Sequence, residues 1–292
     1  MTTWGVAGAG AAIGALLCRW VAARALRTPP EQVMRTNVDG RRVPVVLGWA
    51  VTVGALGALT SVVLVVISSD TPRSCAGLAL CSSSLRLWAA AGVPLAGMFA
   101  AGFWDDLRGD ERPRGFAGHL GALGGGAVTG GMVKLVSGAV VGLVTAAVVV
   151  GGIEPLPFFV ATALSVALSA NLVNLLDRAP GRALKVFLLL ALPLAVAGGG
   201  EWRMLAAGGI GAALAALPLD LRAAAMLGDA GANPLGAIVG LGLAVSLRHS
   251  DAGLVGLVIV LLAVNLASER WSFSEIIATS RWLARLDHLG RK

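Results

Sequence analysis

The chain has no tyrosine, only three cysteines and three histidines, and few charges: Asp, Glu, Lys and Arg make up 13% of its 292 residues. A soluble globule needs much more polar surface to cover its core, so this scarcity excludes a soluble enzyme and a disordered tail. Three cysteines are too few for a secreted disulfide scaffold. Cys18 lies in the first apolar stretch and reads as a small hydrophobe. Ala15, Leu16 and Leu17 before it make a poor lipoprotein cleavage site. Cys75 and Cys81 share one polar loop, where a disulfide and two free thiols are both open. His119, His249 and His288 are too far apart for a zinc-ligand spacing. No basic residue precedes Arg19, so the first stretch reads as an uncleaved span and not as a signal peptide.

What is present points to the bilayer. Hydrophobic residues reach 57%, glycine numbers 40, and mean hydropathy is +0.82, which together predict an all-α polytopic membrane protein with closely packed helices. Apolar stretches of spanning length fall near 3–23, 45–68, 86–104, 116–134, 156–176, 183–199, 204–219, 234–248 and 252–268. A tenth, 135–153, is rich in valine and broken by glycine, and reads as a span or as a short hairpin buried against protein. Charge decides between nine and ten. With nine spans and the N-terminus outside, 17 Lys and Arg residues lie on the cytoplasmic side and five on the other, whereas a tenth span sends half of the basic loops outward. The nine-span bundle, residues 1–268, is therefore expected, with 135–153 as the hairpin. The net charge of +7 is spread between spans, which argues against a nucleic-acid partner.

Residues 269–292 differ in kind. Ser272 and Glu275 have capping-box spacing, and Phe273, Ile276, Ile277, Leu283, Leu286 and Leu289 follow a roughly helical period beside Arg281, Arg285, Arg291 and Lys292. An amphipathic helix on the cytoplasmic face, in contact with membrane lipids, is expected; closing a site is the alternative to anchoring.

Four polar clusters gather on that same side. Asp105 and Asp106 follow the third span; at a helix C-terminus they repel one another and oppose the macrodipole, so they need Arg108, Arg112, Arg114 or a cation such as Mg²⁺. A solvated acidic turn is the plainer reading. Asn171, Asn174 and Asp177 share one helical face at the end of a span, where amides need partners and often act as helix glue. Asp229 sits between Gly228 and Gly231, which permit close backbone approach to a ligand, ahead of a helix N-terminus that favours phosphate. Arg41 and Arg42 in the first cytoplasmic loop suit a phosphate or anionic lipid.

In order and combination these residues resemble the polyprenyl-phosphate sugar-1-phosphate transferase superfamily, which includes phospho-MurNAc-pentapeptide transferase and the GlcNAc-1-phosphate transferases. The Asp-Asp motif matches Asp105 and Asp106. The Asn-x-x-Asn-Leu-x-Asp motif matches Asn171, Asn174, Leu175 and Asp177, and Gly-Asp-x-Gly followed by Leu-Gly matches Gly228, Asp229, Gly231, Leu235 and Gly236. The similarity runs from about residue 35 to 250. It implies Mg²⁺-dependent (or Mn²⁺-dependent) transfer at the inner face of a bacterial-type cytoplasmic membrane. The acceptor would be a polyprenyl (undecaprenyl) phosphate, the donor a UDP-linked nucleotide sugar, and the product a lipid-linked diphosphosugar for cell-envelope glycan synthesis.

By that resemblance Asp229 ligates Mg²⁺ with help from Asp106, and Asp105, Asp106 and Asp177 are catalytic. Asn171, Asn174, Arg41, Arg42, Arg112, Arg114, Gly228 and Gly231 bind substrate and phosphate. The chain departs from the pattern in three places. After Asp177 it reads Arg178, Ala179, Pro180, Gly181 where the family has Gly-x-Asp-Gly, so the second aspartate is Pro180. The histidine-rich cytoplasmic motif is absent, and arginine replaces the lysine usual after Asp-Asp. A relative that binds polyprenyl phosphate or lipid-linked sugar without turnover is the alternative. Transport is disfavoured, because apart from Arg19 the ionisable residues lie at span ends. The Gly124–Gly126 run suits a homodimer interface or packing within the bundle.

Overall fold

The computed structural model describes residues 2–68, 78–108, 130–151 and 156–291. It is built from α1 (Thr3–Ala25), a small hairpin of β1 (Met34–Thr36) and β2 (Arg42–Pro44), α2 (Leu47–Ser68), α3 (Leu78–Arg108), α4 (Gly130–Val150), α5 (Leu156–Leu176), α6 (Arg182–Ala197), α7 (Gly199–Leu221), α8 (Asp229–Ser246), α9 (Asp251–Arg270), α10 (Phe273–Thr279) and α11 (Arg281–His288). Among the described residues, seven helices are long and apolar enough to cross a membrane: α1 to α5, α7 and α9. Their outward faces carry large apolar side chains, including Leu64, Leu143, Leu214 and Val260, as lipid-facing helices require.

The centre of the bundle is α8, of whose 18 residues 14 are buried. It packs on α5 and α3, while α1 packs on α2 and α7. Glycine sets these distances. Gly102 of α3 lies against the backbone of Asp229 and Ala230, and Gly48 of α2 against that of Leu227 and Gly231, so a β-carbon at either site would collide with main chain.

Two expectations change. Residues 135–150 are not a hairpin: they fall in α4, which packs on α3 and α5, while 152 and 153 lie outside the described residues. A helix satisfies every backbone polar group within one segment, and in apolar surroundings that outweighs the β preference of valine. The expected span 116–134 falls mostly outside the described residues, as do Arg112, Arg114, His119, Gly124–Gly126 and Cys75, and with Cys75 the disulfide question. The tail is not one helix but two, broken at Ser280, whose backbone is extended. Ser272 caps the first of them as its spacing predicts, accepting from the Glu275 N–H at 3.4 Å.

Candidate functional site

One end of the bundle gathers four carboxylates from three helix ends. Asp105 and Asp106 close α3, Asp177 follows α5, and Asp229 opens α8. The Asp106 carboxylate accepts the N–H of Asp229 at 3.1 Å and of Ala230 at 2.9 Å, which satisfies donors that a helix N-terminus leaves free. Asp177 Oδ2 accepts the Gly228 N–H at 3.0 Å. Gly228 has φ +69°, and a β-carbon there would meet Val45 and the Asp106 carboxylate. Its loop is clamped from the other side as well. Met226 donates to the Pro44 carbonyl at 2.9 Å, Gly48 to the Leu227 carbonyl at 2.9 Å, and the Thr52 hydroxyl to the Ala230 carbonyl at 2.9 Å.

Among the described residues, the cation paired with this cluster is Lys134, near the N-terminal end of α4. Its Nζ lies 2.8 Å from Asp105 Oδ2 and also pairs with Asp229 Oδ2. Charge counting over nine spans puts Lys134 outside; the geometry puts it beside the aspartates. The sequence pattern does not assign it to the site, and its signal there is a lone ammonium at the edge of an apolar run.

The remaining expected residues divide. Gly231 lies in the same turn, donating to the Gly228 carbonyl at 3.1 Å. Asn174 is half-buried, and its carbonyl accepts from Asp177 N at 3.0 Å. Asn171 is turned toward α9, donating from Nδ2 to Asn265 Oδ1 at 2.7 Å, so it bridges two helices as amide glue does. Arg41 and Arg42 pair with Asp39 and Glu31 on the exposed hairpin at 2.8 and 2.9 Å. Arg35 is the hairpin's contact with the cluster: its Nη2 donates to the Asp106 carbonyl at 2.5 Å.

Asp220, only 4% exposed at the end of α7, went unremarked in the sequence. It accepts the Gly181 N–H at 3.0 Å, which sets a carboxylate beside Pro180, where the family's second aspartate is missing. Burial, then the negative charges of Asp220 and Asp229, push the Asp177 carboxyl well above its usual range, while the Gly228 N–H opposes them.

Among the described residues no three carboxylate, imidazole or thiol groups stand as a ready-made metal site. The donor set still suits a hard cation, because Asp105 and Asp229 present oxygens to one shared positive charge, that of Lys134. Mg²⁺ is commonly held by one or two carboxylates plus phosphate oxygens and water. The chain matches no protein-family profile, and no curated protein matches it.

Proposed function

We propose that this protein transfers a sugar-1-phosphate from a UDP-sugar to a polyprenyl phosphate at the cytoplasmic membrane face, with Mg²⁺. The observation that carries the reading is the meeting of Asp105, Asp106, Lys134 and Asp229, drawn from three helices and up to 124 positions apart, in one cluster of paired charges. In the reaction an oxygen of the lipid phosphate forms a bond to the β-phosphorus of the donor. The bond from that phosphorus to the bridging oxygen breaks, and UMP leaves with the electron pair. Mg²⁺ would neutralise charge on the diphosphate, held by Asp229 and by Asp105 in place of the expected Asp106, whose carboxylate is taken up by the N–H groups of Asp229 and Ala230.

The chain's own residues do the positioning. Asp106 fixes the backbone of Asp229 and Ala230, and Asp177 fixes Gly228. Lys134 offers a phosphate the ammonium that now joins two carboxylates. A lipid phosphate has a second pKa near 6 and needs no strong base at neutral pH. The membrane arrangement in this reading has nine spans, the seven long helices plus the shorter α6 and α8. The N-terminus lies outside, and Lys134 moves to the cytoplasmic count. A bacterial-type cytoplasmic membrane is the location.

A second reading, lipid-phosphate binding without turnover, is favoured by the loop at 178–181. There the Pro180 carbonyl is taken by Arg291 Nε at 2.9 Å, and Asn171 is paired away from the cluster. Mass spectrometry of the lipid fraction tests both. Purified protein is incubated with undecaprenyl phosphate, Mg²⁺ and a panel of UDP-sugars. An undecaprenyl product heavier by one sugar-phosphate supports transfer. Unchanged lipid from protein that binds it supports the second reading.

A further inference from the structure

The tail turns its polar stripe inward. Asp287, 9% exposed, takes a two-bonded fork from Arg182, itself 7% exposed, at 2.8 and 2.9 Å, and Arg182 Nη1 also donates to Ser274 Oγ at 2.9 Å. Arg291 pairs with Asp287 Oδ1 at 2.7 Å and donates to the Pro180 carbonyl. Lys185 Nζ caps the end of α11 on the carbonyls of Leu286 and Asp287. Both partners of the fork are buried, and they join α11 to the start of α6, while Arg291 joins the same end of the tail to the loop that follows Asp177.

The apolar side faces away from the protein. Trp282 is 75% exposed, and Trp271, Leu286 and Leu289 each exceed half. A helix of a soluble protein does the reverse. We propose that residues 271–291 form a strap whose outer face lies in the anionic headgroup layer of the bilayer and whose Asp287 latch holds the 178–181 loop and the start of α6 in place. Three features commit the face to lipid. The segment leaves directly from the end of apolar α9, so it emerges at the membrane surface. Tryptophan and leucine on one side suit the acyl–headgroup boundary. Exposed Arg270, Arg281 and Arg285 complement anionic headgroups. The strap also meets the loop at the place where the resemblance to the transferases fails. The inference does not rest on transfer, since its test uses neither donor nor acceptor.

The test uses the full chain, with Cys18→Ala, Cys75→Ser and Cys81→Ser, in nanodiscs of phosphatidylcholine with or without phosphatidylglycerol. A nitroxide on Trp282→Cys or Leu286→Cys should be more accessible to oxygen than to a water-soluble nickel chelate, and more so with phosphatidylglycerol. A label open to nickel overturns the proposal, as does one shielded from both reagents in protein that forms dimers. The latch is read by hydrogen exchange in otherwise unaltered protein. Asp287→Ala should speed exchange about tenfold or more in both 281–289 and 178–185, on the scale of a local opening, and Asp287→Glu should restore most of the protection. Faster exchange confined to the tail refutes the coupling to the loop.

Discussion

Replacing Lys134 with methionine keeps the stem of the side chain and removes the charge that joins Asp105 and Asp229. Two charge-assisted contacts are lost, one of them at 2.8 Å. A hydrogen bond to a charged group contributes about 1.5–3 kcal/mol, and breaking a fully buried pair costs about 3–5 kcal/mol. The Lys134 side chain is 34% exposed, so water screens the loss and about 2–3 kcal/mol is expected. At roughly 2–4 °C per kcal/mol, Tm should fall by about 4–12 °C in detergent. The two carboxylates would then face each other without a cation, which makes their site a better one for Mg²⁺. Mg²⁺ at ten times its Kd adds about 1.4 kcal/mol, so Mg²⁺ should raise Tm more in Lys134→Met than in the native chain. Thermal unfolding followed by tryptophan fluorescence, with Mg²⁺ and with EDTA, reads both effects. An unchanged Tm, or a Mg²⁺ shift no larger in the variant, refutes the shared-cation reasoning.

Three further outcomes follow from the same contacts. Asn171→Ala and Asn265→Ala should each cost about 0.6 kcal/mol, the size of an interhelical hydrogen bond in membranes, and leave transfer near the native rate; a large loss of rate with Asn171→Ala alone would place its amide on substrate. Gly228→Ala should abolish transfer and lower Tm, because positive φ costs about 1–2 kcal/mol and the new β-carbon meets Val45 and Asp106; native Tm and rate would contradict the tight turn. Burial raises the Asp287 carboxyl, but the hydrogen bonds and charge of Arg182, with the charge of Arg291, outweigh burial and leave it below its usual value. Such a group contributes stability above its unfolded value of about 3.9 and loses it as pH falls through the folded one. A spin label on Arg285→Cys should therefore stay ordered from neutral pH down to about 4 and gain mobility only below it, and a gain already between about pH 7 and 5 would contradict the latch.

The helices were legible because an apolar run of spanning length leaves the backbone few choices. Asp105, Asp106 and Asp229 were legible because paired or glycine-flanked carboxylates at span ends stand out against so little charge. Lys134 was lost to a count that weighs loops by their number of basic residues and cannot see that one of them faces a carboxylate. Asn171 has the periodicity of the Asp177 face, yet Asn265 across the helix gap takes its amide, and a partner 94 positions away leaves no local trace. Arg35 was passed over for the adjacent pair at 41 and 42 because only the pairing of β1 with β2 decides which arginine meets α3. In the tail, helical period located an apolar stripe, while the direction it faces depended on the buried fork between Arg182 and Asp287.

In the proposed function Asp105, Asp106, Asp177 and Asp229, with Lys134, form one cation-dependent phosphate-transfer centre. Its most direct test is UMP release by purified protein given undecaprenyl phosphate and UDP-sugars, with Mg²⁺ or EDTA, beside Asp229→Asn. UMP release is expected with Mg²⁺, none with EDTA, and none from the variant. Release that continues in EDTA or in Asp229→Asn, or no release with any donor from folded protein that binds the lipid, would contradict it.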